Sequence, residues 1–178
     1  MEAKYYVKTH LSDSLQKIVS SQRMDELLEL SVYEKAVIFA YTDTQHEALN
    51  KMLWESQGTD ISDFGLCLEA CLEKLESVVG VFYRGARESY CDINRYVKAK
   101  ENKTIITEYH FLSVTTSQLT ARGFGNILFR IYGKNAKKID KISKFEKEKE
   151  LVFQRSTQFK VTGVTNNGLF TTITLKEV

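Results

Sequence analysis

The feature that most constrains this chain is a change in hydrophobic period near Val78. Before this point, apolar residues return every three or four positions, as one buried helix face requires. After it come short apolar runs rich in β-branched and aromatic residues, with glycines at their edges, which is typical of strands and turns. Because helices precede strands instead of alternating with them, we predict an α+β fold. Residues 1–77 should be mainly helical and residues 78–178 mainly strands, within a single domain.

Length and composition agree with a folded domain. The 178 residues fall within the usual range for one domain. Hydrophobic residues make up 43% of the chain and charged residues 27%, close to the averages of globular domains. The net charge of +2 is too small to indicate the concentrated basic surface that nucleic acids or membranes attract. We therefore expect neither partner, and the sequence leaves the oligomeric state open.

The helical half divides into four predicted segments. These cover residues 25–30, 31–42, 44–55 and 61–75. Ser31 followed by Glu34 is the signature of a capping box at the start of the second segment.

The second half divides into six predicted strands. These cover residues 78–83, 104–112, 126–132, 149–153, 158–164 and 169–176. Residues 166–168, Asn-Asn-Gly, predict a hairpin turn between the last two. Since the chain has no proline, it lacks one class of boundary marker.

The three cysteines are Cys67, Cys71 and Cys91. An odd number argues against a disulfide framework, and no further ligands follow at the spacing of a zinc site. We expect buried thiols and no metal.

The first residues, 1–11, carry charges and lack the apolar run of a signal peptide. No stretch approaches the length of a transmembrane helix. The expectation is a soluble product made in the cytoplasm, with delivery to another cell as a toxin or effector left open.

Two pairs of residues stand where a strand can present chemistry. Arg84 and Gly85 follow a predicted strand, where a guanidinium can offer its planar donors to a phosphate and a glycine permits close approach. Ser113 and Thr115 are two apart in an extended segment and so face the same side. On an ordinary strand these would be surface groups, whereas beside a cleft they would line a binding site.

Glu148 and Glu150 are two apart at the start of the predicted strand 149–153, so their carboxylates should project together. Neighbouring like charges repel, which is unfavourable in a purely structural strand, although a solvated edge would tolerate it. A fixed carboxylate can stabilise the oxocarbenium-like transition state of a breaking glycosidic bond.

Four segments together resemble the Arg–Ser–Glu class of mono-ADP-ribosyltransferases, the bacterial toxin-like enzymes. In chain order they are Glu34-Lys35-Ala36-Val37 with Tyr41-Thr42 and Asn50, then the strand ending in Arg84-Gly85, then Phe111-Leu112-Ser113-Val114-Thr115, and finally Phe145 with Glu148 and Glu150. They span residues 31–150 in the family's order. Val114 and Thr115 depart from the threonine and serine of the family's pattern, but Thr115 retains a hydroxyl.

The resemblance implies an enzyme that cleaves NAD at its nicotinamide–ribose bond, with NAD as cosubstrate and no metal. It implies an NAD cleft between the helical half and two small, mainly antiparallel sheets. By resemblance, Arg84 binds the diphosphate and Gly85 contacts the nicotinamide amide through its backbone. Phe124 lies against the nicotinamide ring, Ser113 holds Glu150, and Glu150 binds the ribose. Thr115 supports the site.

The acceptor follows from the same resemblance. A glutamate two residues before the catalytic one is the family's pattern where a guanidinium is modified, so Glu148 predicts a protein arginine as acceptor. Phe145 matches the aromatic of the acceptor-recognition turn. The alternatives are an NAD glycohydrolase that uses water, a transferase acting on nucleic-acid bases, and a non-catalytic NAD-binding or interaction module.

Overall fold

In the computed structural model, which describes residues 2–178, five helices precede the first strand. The helices are α1 Ala3–His10, α2 Ser12–Val19, α3 Val32–Ala40, α4 His46–Glu55, α5 Asp63–Glu73, α6 Ile93–Glu101 and α7 Gln118–Arg122. α1 and α2 lie in the half that was predicted to be mainly helical, but in none of its four predicted segments, and α6 and α7, which lie between strands, were not predicted. α7 has only five residues, too few to show a helical period, whereas α6 is amphipathic but mostly polar and lies among predicted strands.

The strands are β1 Ser77–Ala86, β2 Ile105–Glu108, β3 Leu112–Thr115, β4 Ile127–Lys138, β5 Glu150–Phe153, β6 Thr157–Asn166 and β7 Thr171–Glu177. Their order is β1-β3-β5-β4-β7-β6-β2, and β1 also pairs with β4. Only β4 and β7 pair in parallel; the other pairings among the described residues are antiparallel. The α+β class and the mainly antiparallel pairing are confirmed.

The two expected sheets are joined into one hydrogen-bonded network. The small β3–β5 pair meets β1 where Tyr83 stands opposite Thr115, and it meets β4 at Lys137 and Lys138. The join exists because β4 is long enough to run along β1 and then continue to β5.

The predicted capping box is present at the start of α3. The Ser31 hydroxyl accepts the Glu34 N–H at 3.3 Å, and the Glu34 carboxylate accepts the Ser31 N–H at 2.8 Å. A π-helical turn, Tyr41–Gln45, joins α3 directly to α4, so the predicted break between residues 42 and 44 is absent. Such turns are frequently found at functional sites.

One predicted helix and one predicted strand are wrong. Residues 25–30 are not a helix, because the turn Gln22–Asp25 ends there and Leu27 takes a left-handed conformation with φ of 48°. The predicted strand 104–112 is broken between β2 and β3. There the Asn50 side chain hydrogen-bonds to both the backbone N–H and the backbone oxygen of Phe111. The predicted hairpin at residues 166–168 does connect β6 to β7, with Gly168 at φ of 87°.

The strands β3 and β5 form the seam between two hydrophobic clusters. Leu151 and Phe153 pack into the cluster within the sheet, whereas Val152 faces the cluster of helices α1 to α5. Likewise Leu112 and Val114 face the sheet cluster. Because side chains alternate along a strand, the intervening Ser113 faces the helical side. The seam therefore brings polar strand residues against the α3–α4 helix.

Cys67 and Cys71 are buried in α5, as predicted, whereas Cys91 is only half-buried and packs against the sheet cluster. Burial raises the pKa of the Cys91 thiol to about 11.

Across residues 2–178, no helix combines the length and apolar character needed to cross a bilayer.

Candidate active site

A cavity of about 390 Å³ opens between the α3–α4 helix, the strands β1 and β3, and the loop that precedes β5. All eight residues assigned to the site from the sequence line it: Arg84, Gly85, Ser113, Thr115, Phe124, Phe145, Glu148 and Glu150. They come from four separate parts of the chain, so the fold alone brings them together. The volume falls within the range of small-molecule sites.

Arg84 lies near the end of β1 with its guanidinium at the cavity wall. Its Nη1 donates a 2.9 Å hydrogen bond to the backbone oxygen of Ser113 on β3. This bond fixes the orientation of a planar group suited to bidentate binding of phosphate.

Gly85 is required by the protein's own packing. A Cβ at this position would lie 1.8 Å from the backbone oxygen of Ala121 and 3.0 Å from Cβ of Phe124. The sequence suggested that this glycine admits a ligand, but the close neighbour in the structure is the end of α7. Gly85 thereby lets Phe124, which is 50% exposed, stand at the cavity.

Ser113 belongs to a hydrogen-bond network anchored on the helical half. Its hydroxyl lies 3.2 Å from the hydroxyl of the buried Tyr41. Asn50 donates to the Phe111 oxygen at 3.1 Å and accepts the Phe111 N–H at 3.2 Å. The amide of Asn50 thus replaces a strand partner and fixes the start of β3. Tyr41 and Asn50 entered the sequence analysis only through the family's leading helix.

Thr115 stands directly opposite Glu150 in the β3–β5 ladder. Its hydroxyl accepts the N–H of Ser117 at 3.0 Å, at the turn that leads into α7. The observed role of this hydroxyl is therefore local. Val114, which the alternation directed away from the cleft, packs in the sheet cluster and also borders the cavity.

Glu150 is the first residue of β5, and its carboxylate is largely enclosed. Burial is the main cause of its raised pKa, and the charge of Glu148 acts in the same direction. Hydrogen bonds from the hydroxyls of Ser113 and Ser143, together with His46, lower the pKa and partly offset the burial. A carboxylate in such surroundings acts strongly on a nearby cation, because solvent screening is weak.

Glu148 reaches the cavity by a different route from the one predicted. It ends the turn Glu146–Glu148, Lys149 is left-handed with φ of 52°, and β5 begins only at Glu150. Strand alternation therefore does not relate the two carboxylates; the left-handed residue between them does. Burial raises the pKa of Glu148.

Phe145 borders the cavity on the same loop and is 47% exposed. Its backbone N–H donates to the Ser143 hydroxyl at 3.1 Å, and the Lys144 ammonium lies 5.4 Å from its ring centroid. The half-exposed ring suits contact with a second molecule.

Sequence reasoning missed His46 and Ser143. His46 lines the cavity one helical turn before Asn50, and its Nδ1 lies 3.2 Å from the backbone oxygen of Tyr41. The spacing of four from Asn50 was a usable signal for a shared helix face. Ser143, which is fully buried, lies in a charge-rich stretch just ahead of the segment that begins at Phe145, and it belongs to none of the recognised motifs.

The sequence profile of the ADP-ribosyltransferase exoenzyme family matches residues 18–174. The chain belongs to this family. ADP-ribosyltransferases use NAD as their substrate. Within residues 2–178, no group of histidine, cysteine, aspartate and glutamate is arranged to hold a metal ion. A search of curated proteins finds no significant match.

Solved structures of bacterial ADP-ribosyltransferases have the same fold. HopU1 of Pseudomonas syringae pv. tomato aligns with a TM-score of 0.81 at 19% identity, over 94% of this chain and 87% of that one. Exoenzyme S of Pseudomonas aeruginosa, solved with human 14-3-3 protein beta and carba-NAD, aligns with 0.80 at 21%, over 99% and 86%. Vis of Vibrio splendidus, solved with agmatine, aligns with 0.68 at 19%, over 97% and 84%. The exoenzyme family thus comprises toxins and effectors of bacterial pathogens.

Proposed function

We propose that this chain, as a single domain, cleaves NAD at the nicotinamide–ribose bond and transfers ADP-ribose to an arginine side chain of a protein. The observation that carries the proposal is the meeting of Glu148 and Glu150 in one cavity with Arg84 and Ser113. Two partly buried carboxylates beside a fixed guanidinium suit a reaction that begins with an anionic dinucleotide and passes through a cation.

NAD binding is assigned to the β1 side of the cavity. Arg84 pairs with the diphosphate, with its guanidinium oriented by the Ser113 carbonyl. The backbone of Gly85 contacts the nicotinamide amide, and the half-exposed Phe124 covers the nicotinamide ring. The cavity volume and these contacts fit NAD as the cosubstrate.

Bond cleavage is assigned to Glu150. As the bond from the ribose carbon to the nicotinamide nitrogen breaks, its electron pair leaves with neutral nicotinamide, and the ribose becomes an oxocarbenium-like cation. The Glu150 carboxylate stabilises that cation by binding the ribose 2′-hydroxyl. Ser113, held by Tyr41, orients the carboxylate, and Thr115 supports the site by pairing with Glu150 in the ladder and by fixing the turn that leads into α7.

Transfer is assigned to Glu148. Its carboxylate pairs with the guanidinium, directs one nitrogen to the ribose carbon, and takes up the proton released as the new bond forms. Burial raises the pKa of Glu148, which favours proton uptake. Phe145 contacts the acceptor. Agmatine, which Vis binds, carries a guanidinium group and supports this choice by analogy.

The test compares agmatine with 1,4-diaminobutane, which has the same carbon chain but no guanidinium. With labelled NAD, we expect nicotinamide release together with labelled agmatine and no labelled diamine. Nicotinamide release without any labelled agmatine or protein would identify an NAD glycohydrolase. Absence of nicotinamide release would contradict catalysis and favour a binding module. Incubation with a cell lysate and site mapping then identifies the protein acceptor, as expected for a toxin or effector that acts in another cell.

A further inference from the structure

Ser143 joins the catalytic carboxylate to the acceptor loop. It lies between β4 and β5, is fully buried, and its hydroxyl donates a 2.9 Å hydrogen bond to Oε2 of Glu150. The same hydroxyl oxygen accepts the backbone N–H of Phe145 at 3.1 Å. One side chain therefore contacts both the proposed catalytic group and the proposed acceptor-binding residue.

The backbone around Ser143 is held by side chains from the helical half. Arg23 donates to the Ser143 carbonyl through Nε at 3.3 Å and through Nη2 at 3.2 Å. On the other side of Ser143, the Lys144 N–H donates to the Thr42 hydroxyl at 2.9 Å. These contacts fix the loop at two successive residues, so the serine hydroxyl has a defined position.

An ion-pair network strengthens this attachment. Asp43 in the π-helical turn pairs with Lys144 through one carboxylate oxygen. Its other oxygen pairs with Lys17 of α2 at 2.9 Å, and the Asp43 side chain is only 7% exposed. A partly buried network of three charges constrains geometry more than an isolated surface pair does. The π-helical turn thus serves as the anchor of the loop.

We propose that Ser143 is a positioning residue for Glu150. This assignment rests on the proposed function. The buried hydroxyl holds the Glu150 carboxylate in the orientation needed at the ribose, and it fixes the position of Phe145 relative to that carboxylate. Such preorganised donors avoid the cost of reorganising the site during reaction. Sequence alone gives no indication of this role, because Ser143 meets Glu150 through the turn between them.

The hydrogen bond also has an electrostatic consequence. A donor to the ionised carboxylate lowers its pKa and opposes the effect of burial. Glu150 is faced by Ser113 from β3, Glu148 from the loop and His46 from α4, and Arg84 from β1 lines the same cavity. Removing the Ser143 donor leaves burial and Glu148 less opposed, so the pKa of Glu150 rises. The ionised fraction then falls at a given pH.

The first experiment measures nicotinamide release by Ser143→Ala across pH. We expect kcat to fall by about tenfold near neutral pH, since hydrogen bonds to charged groups have this magnitude. The KM for NAD should change little, and the acid limb of the kcat profile should move to higher pH. Arg23→Gln, which leaves Ser143 in place but removes the guanidinium that holds its carbonyl, should move kcat in the same direction.

The matched control is Ser62→Ala. The Ser62 hydroxyl accepts the Gly65 N–H at 3.2 Å at the start of α5, away from the cavity. This substitution removes a structural hydroxyl with a comparable stability cost, yet it should leave the pH profile unchanged. Equal profiles for Ser143→Ala and Ser62→Ala would overturn the positioning role.

A second measurement does not depend on activity. The Glu150 carboxyl carbon is titrated by nuclear magnetic resonance in the wild type and in Ser143→Ala, with the resonance assigned from Glu150→Gln. A higher pKa in Ser143→Ala supports the inference, and an unchanged pKa overturns it. If the wild type releases no nicotinamide, the proposed function fails, while this titration still decides whether Ser143 acts on Glu150.

Discussion

Glu148 and Glu150 reach the same cavity from either side of Lys149, whose backbone is left-handed with φ of 52°. This conformation costs roughly 1 kcal/mol for a residue with a Cβ, and more for a β-branched residue. The turn at Lys149 therefore sets the relation between the two carboxylates.

Lys149→Gly should keep the turn and raise the free energy of unfolding by roughly 0.5–1 kcal/mol, because glycine adopts positive φ readily. Lys149→Val should lower the free energy of unfolding by about 1–2 kcal/mol and reduce transfer more than nicotinamide release, since Glu148 loses its position. Chemical denaturation and product analysis measure both effects. Equal stability of the two variants would contradict the strain assigned to Lys149.

Gly85→Ala should destabilise the fold by about 1–3 kcal/mol, because its Cβ would lie 1.8 Å from the Ala121 oxygen. Gly80→Ala is the control on the same strand, since the nearest atom to its added Cβ lies at 3.4 Å. Thermal and chemical unfolding compare the two. A loss of the same size in both variants would mean that α7 does not depend on Gly85.

Arg84→Ala should raise the Kd for NAD roughly tenfold to a hundredfold, the usual effect of losing a charge-assisted hydrogen bond. Arg87→Ala is the control, because Arg87 is exposed and lies outside the residues that line the cavity. Calorimetric titration with NAD gives both constants. An unchanged Kd in Arg84→Ala would remove this residue from the phosphate site.

Glu150→Gln should reduce nicotinamide release roughly a hundredfold or more while leaving the Kd for NAD nearly unchanged, because the amide keeps the shape and loses the charge. The wild-type rate should fall as the pH drops through the raised pKa of Glu150. Kinetics at saturating NAD measure the loss. Undiminished turnover would exclude Glu150 as the catalytic group.

The same substitution has a predicted effect on stability. Since burial raises the pKa of Glu150, the stability contributed by its protonated form is present below the unfolded pKa and lost as the pH rises through the folded pKa. At neutral pH, Glu150→Gln should therefore raise the Tm, because the neutral amide avoids the cost of burying a charge. A lower Tm in this variant at neutral pH would contradict a destabilising ionised Glu150.

Local patterns were enough to predict several elements. The Ser31 capping box depends on two residues three apart, and the hairpin near Gly168 depends on one turn, so neither needs distant partners. The predicted helix at residues 25–30 failed because apolar spacing does not reveal a left-handed residue such as Leu27. The break between β2 and β3 depends on the distant Asn50, which a local pattern does not contain.

The candidate site likewise contains residues that local patterns indicated and residues that they did not. The residue pattern indicated Arg84 and Ser113 by their places in strands, and the resemblance supplied their order and roles. Ser143 was missed because it reaches Glu150 only through the fold of the irregular turn between them, and because Arg23 approaches it through tertiary packing. The Glu148–Glu150 pair was found for an incorrect reason, since the chain turns at Lys149 before the strand begins.

The most direct test of the central claim is the ratio of labelled agmatine to free nicotinamide produced by Glu148→Gln. If Glu148 orients a guanidinium acceptor, this variant should lose transfer to agmatine yet retain much of the nicotinamide release into water, because Glu150 still supports bond cleavage. The ratio should therefore fall roughly tenfold or more relative to the wild type. Equal losses of both products, with the ratio unchanged, would contradict the assignment of arginine as the acceptor.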